Sequence, residues 1–268
     1  FDAASPPAGR AAVGAHASTL AFEMTSGRRP IVVSCGAGHL FGAAWRRAAR
    51  TTASHSTLCL DGASSARLQP PQPVRGGIVE PLTDGPEEVL AAFTRLSDGS
   101  RVELAHDGYR AAYGLTHART VDIAADGRGV VGDDVLTTLE DEDRALFDAA
   151  FRRSPEEGLP FDIRFHLHPD VEAQLDLGGR AVSLTLKSGE AWVFRHAGEA
   201  DLALAPSTYL ETGRLRPRPT RQVVLSGRAI AYATRVRWSL AKATDTPTVL
   251  RDVVEADLFA DMDVEESP

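Results

Sequence analysis

The sequence is poor in cysteine and in aromatic residues, and it has no long hydrophobic run. Of 268 residues, two are cysteines and 6% are aromatic. Cys35 and Cys59 are too few for a disulfide framework and match no metal-binding spacing of the Cys-x-x-Cys kind. No window approaches the roughly eighteen uninterrupted apolar residues of a membrane-spanning helix. The first residues also lack the basic patch and apolar run of a signal peptide. The sequence therefore predicts neither a membrane span nor a signal peptide.

Negative charge is concentrated at one end of the chain. The formal net charge is −8, and residues 245–268, with eight acids and one base, contribute −7 of it. The rest of the chain is nearly neutral. Because nucleic-acid binding needs a basic surface for phosphate contacts, this balance argues against nucleic acid as a partner. The acidic, polar composition of residues 245–268 predicts a peripheral, poorly ordered tail.

Apolar and polar residues alternate with a period of two through most of the chain, which indicates β-strands. Turn pairs such as Asp98-Gly99 and Ser226-Gly227 fall between the alternating segments. The regular spacing of short strands favours an all-β fold of stacked antiparallel sheets, a β-sandwich or supersandwich. The predicted strands cover residues 12–24, 30–35, 54–61, 88–96, 101–108, 118–124, 161–168, 181–186, 191–196, 201–205, 220–226 and 230–240.

Only two stretches favour a helix, residues 43–50 and residues 140–153. We interpret the second as an excursion between strands rather than a core element. No internal repeat and no second domain is visible. The sequence therefore predicts one β-domain over residues 1–244, followed by the acidic tail over residues 245–268.

Two histidines lie in segments that the alternation predicts to be strands. His16 would share a strand face with Ser18, and His55 lies in the run Ser54-His55-Ser56-Thr57. Each histidine taken alone has two interpretations, a hydrogen-bonded core residue or a metal ligand, and the first is the commoner. The same holds for His166 and His168, which share a face before Pro169.

The motifs around these histidines resemble, in their order, the C-terminal domain of the heparinase II/III-like polysaccharide lyases. Members of that family carry a His-x-His-x-Asp stretch running into Ser-Phe-Glu, then Asp-Pro-Gly, Trp-Arg, Arg-Ser-Thr-x-x-His-Asn-Thr and Asp-Gly. The later segments resemble the bacterial branch of the family, and the likeness covers roughly residues 11–240. The corresponding segments here are His16 to Glu23, Ser34-Cys35-Gly36, Trp45-Arg46, Arg50 to Thr57, Asp61-Gly62, His106 to Tyr109 and Arg164 to Pro169.

The resemblance implies a β-domain that follows an N-terminal (α/α) toroid, which this sequence does not contain. It implies β-elimination on a uronic-acid polysaccharide of the heparin, alginate or glucuronan kind, by the full-length protein rather than by this chain alone. A base removes the proton beside the carboxylate, positive groups stabilise the enolate, and an acid protonates the leaving oxygen. The implied partners are the acidic polysaccharide and the toroid of the same protein, with a homodimer as an open alternative.

The resemblance also assigns roles to particular residues. It implies that His16, Arg46, Arg50 and Tyr109 support the cleft. Trp45 joins the same two arginines as a substrate-binding candidate.

A structural zinc is implied as well, with His16 and His55 as two of its ligands. Ser34 stands where the family has an Asp, so Ser34 or Cys35 would supply the third donor. The family's catalytic histidine corresponds here to Gly14, and the Tyr before Trp-Arg is replaced by Phe41.

Two functions stay open at this point. The chain is either the β-domain of a lyase or a module with an altered motif that binds glycan or stabilises its toroid without catalysis. The compartment, periplasm or cytoplasm of a bacterium, is not readable from the sequence. We also expect His16 and His55 to meet across neighbouring strands, although their positions are 39 apart.

Overall fold

Two large antiparallel sheets stack face to face in the computed structural model, which describes residues 1–75, 77–154 and 158–243. The segment for which an acidic tail is predicted, residues 245–268, lies outside the described residues. Within the described ranges, no helix is long and apolar enough to cross a membrane.

Eighteen strands and three α-helices make up the described structure, together with short 3₁₀ turns at Gly9–Val13, His39–Phe41, Thr52–Ser54 and Leu177–Gly179. The helices are α1 (Ala43–Ala49), α2 (Arg110–Tyr113) and α3 (Asp141–Arg153). The strands are β1 (Met24–Ser26), β2 (Arg29–Val33), β3 (Leu58–Leu60), β4 (Arg67–Leu68), β5 (Gln72–Val74), β6 (Gly77–Val79), β7 (Leu82–Thr83), β8 (Val89–Arg95), β9 (Gly99–Tyr109), β10 (Leu115–Ala124), β11 (Gly129–Thr137), β12 (Leu159–Leu167), β13 (Val171–Asp176), β14 (Ala181–Leu186), β15 (Ala191–Ala197), β16 (Ala200–Tyr209), β17 (Arg218–Ala229) and β18 (Ala233–Lys242).

The larger sheet has eight strands in the order β13-β14-β15-β18-β11-β10-β9-β8, and every neighbouring pair is antiparallel. The smaller sheet has the order β1-β2-β12-β17-β16, with β3 also paired to β12. Two short ladders, β4 with β7 and β5 with β6, lie outside both sheets. The predicted fold class of stacked antiparallel sheets is confirmed.

Aromatic side chains fill the space between the two sheets. The ring of Phe165 on β12 lies 4.8 Å from the rings of Phe194 on β15 and Trp238 on β18, measured between centroids. All three side chains are buried. A buried aromatic side chain removes about 150–250 Å² from water, so each one contributes up to about 4–6 kcal/mol to the burial term that holds the sheets together.

Trp238 packs flat against the backbone of the neighbouring strand because the residue opposite it is a glycine. Gly132 on β11 pairs directly with Trp238 on β18. A Cβ atom at position 132 would lie 2.1 Å from the indole ring. Gly132 therefore leaves room for the indole ring of Trp238, which a residue with a side chain would not. Close approach of another group is a common reason for a glycine inside a strand.

The predicted strand over residues 12–24 is wrong. Residues 9–13 form a 3₁₀ turn, residues 14–23 are irregular, and the strand begins only at Met24. Leu20 has a φ of 63°, in the left-handed region that no strand residue adopts. The alternation in this segment consists mainly of Ala, Ser and Thr, which offer little apolar surface to a sheet.

The strand predicted over residues 54–61 is shorter than expected, since β3 covers only Leu58–Leu60. The strands β11 and β13 and the short strands β4 to β7 were not predicted. Strand β11 contains Asp133 and Asp134, and aspartate is depleted in strands. The other main strands lie within a few residues of their predicted bounds.

Both predicted helices are present. Helix α3 begins at a capping box in which Glu140 and Asp143 exchange side-chain and backbone hydrogen bonds. Three acids occupy its first turn and Arg152 and Arg153 its last, as the helix dipole favours. The helix is an excursion between β11 and β12, as expected, but it also packs Phe147 into the main core, which was not expected.

Candidate functional site

His16 and His55 are in contact, as expected from the sequence. His16 Nδ1 lies 3.2 Å from His55 Nε2, and the two rings meet edge to face. The prediction that the pair lies on neighbouring strands is wrong. His16 lies in the irregular segment 14–23, and His55 follows the 3₁₀ turn Thr52–Ser54. The pair is therefore held by loops whose shape depends on side-chain hydrogen bonds.

Arg50 ties the loop of His16 to the turn before His55. Its buried guanidinium donates to the carbonyl oxygens of Ala12, Ala15 and Glu80 at 2.7–2.8 Å. The Arg50 carbonyl in turn accepts the N–H of Ala17 at 2.9 Å. A guanidinium has five donors in a fixed plane, so one side chain can hold several carbonyls of a loop that has no sheet partner.

The histidine pair opens into a cleft of about 460 Å³, which we call the histidine cleft. Two carboxylates lie in its wall. Ser18 donates to Asp2, and Glu23 accepts the backbone N–H of Ser34 at 2.9 Å. The nine lining residues include no lysine and no arginine. The residues are Phe1, Asp2, His16, Ser18, Ala21, Phe22, Glu23, Ser34 and His55.

Both imidazoles are held in the neutral form. Burial lowers the pKa of His55 to about 3, and the nearby His16 and His166 rings act in the same direction. Burial also lowers the pKa of His16, assisted by the charge of Arg50. With both rings neutral near pH 7, the side chains of the histidine cleft carry only the negative charge of Asp2 and Glu23.

The side chains around His16 and His55 do not by themselves form a structural zinc site. Such a site takes four protein ligands. Nowhere in the described ranges do three or more His, Cys, Asp or Glu side chains come together in a way that could hold a metal ion. Ser34 lines the histidine cleft as expected, but Cys35 turns away from it. Zinc binding stays a prediction, with His16 and His55 as two donors.

Cys35 belongs to a separate buried cluster behind the histidine cleft. Its sulfur lies 3.4 Å from His166 Nδ1, and the Ser207 hydroxyl lies 2.8 Å from the same nitrogen. His166 Nε2 lies 3.0 Å from the carbonyl of Ala53, so that nitrogen carries the hydrogen and Nδ1 accepts. Burial raises the pKa of Cys35, which keeps it a thiol. This cluster supports the turn before His55.

The arginine and tryptophan candidates lie on or beside α1. Arg46 Nη2 donates to the carbonyl of Val13 at 2.9 Å, and Arg50 is buried, so both support the loop that carries His16. Neither lines the histidine cleft. Trp45 is 38% exposed, whereas Trp192 and Trp238 are core residues. The role of Trp45 in substrate binding stays a prediction, and Trp45 lies outside the cleft lining.

Tyr109, the fourth candidate for supporting the cleft, is fully buried. Its hydroxyl donates to the carbonyl of Leu58, the residue that opens β3, at 3.0 Å. Burial raises the pKa of Tyr109 well above its usual range. The phenol therefore anchors the strand that follows His55, and it does not face the histidine cleft.

A buried polar network in the larger sheet was missed at the sequence level. Arg119 and Asp134 form a bidentate pair, with Nε to Oδ1 at 2.8 Å and Nη2 to Oδ2 at 3.0 Å. Asp134 also lies 2.7 Å from His117 Nε2 and accepts the indole N–H of Trp238 at 2.8 Å. Burial alone would raise the pKa of Asp134, but Arg119 and His117 outweigh it and lower the pKa.

The two stacked antiparallel sheets place the chain among all-β domains of the sandwich kind. Residues 1–239 match the family described as heparinase II/III-like, C-terminal. The chain belongs to the heparinase II/III-like family.

Two solved lyases share the fold. A mutant of the heparan sulfate lyase HepC from Pedobacter heparinus superposes with a TM-score of 0.65 and 14% identity, over 90% of this chain and 32% of that one. A heparinase III gives a TM-score of 0.62 and 13% identity, over 85% of this chain and 30% of that one. At these identities the likeness concerns the fold alone.

A curated relative is closer in sequence. FtsZ-localized protein C of Caulobacter vibrioides is 32% identical over 244 residues, which are 90% of this chain and 40% of the relative. This chain therefore spans less than half of the relative's length.

Proposed function

We propose that this domain is a non-catalytic, partner-binding module of a longer protein, and that the longer protein localises with FtsZ. The observation that carries the first part is the charge of the histidine cleft. Asp2 and Glu23 line it, and no cationic side chain is among its lining residues. The rest of the longer protein, in this proposal, includes the toroid that the family resemblance implies.

Elimination at a uronic acid requires positive rather than negative charge around the substrate. The substrate is an anion, and its enolate gains further negative charge in the transition state, which positive groups must stabilise. At an effective dielectric constant of 20, two like charges about 4 Å apart repel by about 4 kcal/mol. A uronate carboxylate placed beside Asp2 and Glu23 would meet that repulsion in both the ground state and the transition state.

The histidines do not compensate for this charge. A neutral imidazole does not stabilise an enolate as a cation does. An imidazole with a pKa of about 3, as at His55, is also a weak base near pH 7. The buried Arg50 donates its hydrogen bonds to backbone carbonyls, so its guanidinium is not presented to a substrate.

The FtsZ part of the proposal is supported by the relative in Caulobacter vibrioides, whose name states localisation with FtsZ. That relative matches 90% of this chain. A β-domain that keeps the lyase fold but not the electrostatics of the reaction is suited to serve as a docking module on such a protein.

Co-sedimentation with FtsZ polymers tests the proposal. The purified chain is mixed with FtsZ and GTP, and the polymers are pelleted. HepC, which shares the fold at 14% identity, is the control. We expect this chain to pellet with the polymers and HepC to stay in the supernatant. A fluorescent fusion of the full-length protein should form bands where FtsZ assembles. If the chain pellets no more than HepC and the fusion stays diffuse, the FtsZ part is refuted.

Lyase activity is the second candidate function, and the contact between His16 and His55 in an open cleft favours it. In that case the toroid would supply the positive groups that this chain does not place in the histidine cleft. The two functions differ in one observable, the unsaturated uronate product.

A further inference from the structure

Arg119 connects the larger sheet to both loops that carry the cleft histidines. The residue lies on β10, and its side chain is fully buried. Its Nη1 donates at 2.9 Å to the carbonyl of Leu20 and at 2.9 Å to the carbonyl of Ser56. Leu20 belongs to the irregular segment of His16, and Ser56 is the neighbour of His55. A single guanidinium nitrogen therefore holds one peptide group from each side of the histidine cleft.

The other side of the guanidinium is fixed by Asp134. Arg119 uses Nε and Nη2 for both carboxylate oxygens, so its plane cannot rotate without breaking two charge-assisted hydrogen bonds. Asp134 is itself held by the N–H groups of His117 and Trp238. The buried pair is neutral overall and receives donors on both oxygens, as a buried ion pair requires.

A relay of neutral histidines fixes the hydrogen of His117. The N–H of Gly108 donates to His106 Nδ1 at 3.0 Å, so His106 carries its hydrogen on Nε2. That nitrogen lies 3.3 Å from His117 Nδ1, which leaves the hydrogen of His117 on Nε2, facing Asp134. Burial lowers the pKa of both histidines, which keeps them neutral. Asp134, and with it Arg119, thus has a defined orientation.

The two carbonyls that Arg119 holds lie outside the sheet ladders. Leu20 is in the left-handed conformation, and residues 55–57 are irregular between a 3₁₀ turn and β3. The Arg119 guanidinium also lies 5.6 Å from the ring of Phe22, which lines the histidine cleft. Arg119 therefore contacts one lining residue of the histidine cleft, Phe22, and both loops that carry the cleft histidines.

We propose that Arg119, which lies on the larger sheet, is the positioning residue of the histidine cleft. In this proposal it fixes the relative position of the loops of His16 and His55, and so the contact between the two rings. The inference concerns the geometry of the histidine cleft and does not depend on which partner the domain binds. Arg119 does not touch a ligand in this account, because it acts through the two carbonyls.

Arg101 provides a control on the same sheet, with the same bidentate geometry at a partly exposed position. It forms the same bidentate contact, with Nε and Nη2 at 2.8 and 2.9 Å from Asp122, but it lies on β9 and holds no cleft carbonyl. Arg119→Lys keeps the positive charge beside Asp134 but cannot present the planar donors to two carbonyls and two carboxylate oxygens together. Arg101→Lys makes the same chemical change away from the histidine cleft.

The test is amide hydrogen exchange, combined with the imidazole nitrogen resonances of His16 and His55. We expect Arg119→Lys to accelerate exchange at Ala17, Leu20 and Thr57 by about tenfold or more relative to amides of the smaller sheet, and to shift both imidazole signals. We expect Arg101→Lys to change neither. A folded Arg119→Lys protein with unchanged loop exchange and unchanged signals would overturn the proposal, as would an acceleration spread evenly over both sheets.

A second variant keeps the proposal falsifiable if Arg119→Lys does not fold. Trp238→Phe removes one donor to Asp134 and keeps an aromatic ring beside Phe22. We expect the amides of the same loops to accelerate more than those of either sheet, and exchange unchanged there would overturn the proposal. Because these readouts need no ligand, they are independent of FtsZ binding, so failure of the proposed function would be seen separately in the co-sedimentation experiment.

Discussion

His16 Nδ1 and His55 Nε2 lie 3.2 Å apart, although the two histidines are 39 positions apart along the chain. Since burial keeps both rings neutral, one nitrogen carries a hydrogen and the other accepts it. A zinc ion bound to both nitrogens would have to displace that shared hydrogen. The structure thus defines a hydrogen-bonded pair to which a metal would be an addition.

The first prediction concerns zinc. We expect the wild-type chain to lose any bound zinc on dialysis against a chelator, because among the described residues no carboxylate or thiolate joins His16 and His55 in a set of three metal donors, and two imidazoles alone hold the ion weakly. Ser34→Asp places a carboxylate where the family has one, and we expect it to bind added zinc more tightly in calorimetric titration. His16→Ala is the control that should remove binding from both backgrounds. One zinc per wild-type chain after dialysis would contradict the prediction.

The second prediction concerns acid stability. Burial lowers the pKa of His55 to about 3 and that of His166 to about 4. The unfolded chain takes up these protons near pH 6.5, whereas the folded chain does so only near those lower values. Stability is therefore complete above about pH 6.5 and falls as the pH drops toward 4, by up to about 1.4 kcal/mol per pH unit for each such histidine.

Urea unfolding at several pH values measures this slope. We expect His55→Gln to reduce the slope of the free energy of unfolding against pH by the equivalent of about one bound proton. His39→Gln, at an exposed position, is the matched control. An unaltered slope in His55→Gln would show that His55 is not held neutral by the fold.

The third prediction concerns Gly132. Because a Cβ atom there would lie 2.1 Å from the Trp238 ring, we expect Gly132→Ala to lower the free energy of unfolding by about 1–3 kcal/mol or more. Gly129 lies on the same strand, and a Cβ atom there would make only a 3.8 Å contact. Gly129→Ala should therefore be nearly neutral in denaturant unfolding, and equal effects of the two substitutions would refute the packing argument.

The fourth prediction separates Tyr109 from the histidine cleft. Tyr109→Phe removes the hydrogen bond to the carbonyl of Leu58 and should lower the free energy of unfolding by about 1–3 kcal/mol. The imidazole signals of His16 and His55 should stay where they are in the wild type. A change in those signals at unchanged stability would place the phenol nearer to the cleft than the structure does.

Much of the fold was predictable because one face of most strands is buried. The segments from β14 to β18 alternate in the way that a half-buried strand requires, and their turns carry glycine. The contact between His16 and His55 was also predicted. Its loop geometry was not, because a left-handed Leu20 and carbonyls bound to Arg50 leave no local pattern in the sequence.

The buried polar network was not predictable by the same reasoning. Asp134 sits in the middle of a central strand, where residue preferences argue against an aspartate. What stabilises it there is Arg119, fifteen residues away on the next strand, together with Trp238 from the other neighbouring strand. Such pairing is a tertiary property. Asp133 and Asp134 interrupt the alternation of apolar and polar residues in β11, so the sequence pattern did not indicate a strand there.

The most direct test of the account is a product assay on the full-length protein. It would be incubated with heparin-like, alginate-like and glucuronan-like polymers, and the ultraviolet absorbance of the unsaturated uronate product would be followed, with HepC as the positive control on its own substrate. The account predicts no product from this protein under conditions in which HepC is active. Formation of unsaturated product that is lost in His16→Ala would contradict it and establish the histidine cleft as a lyase site.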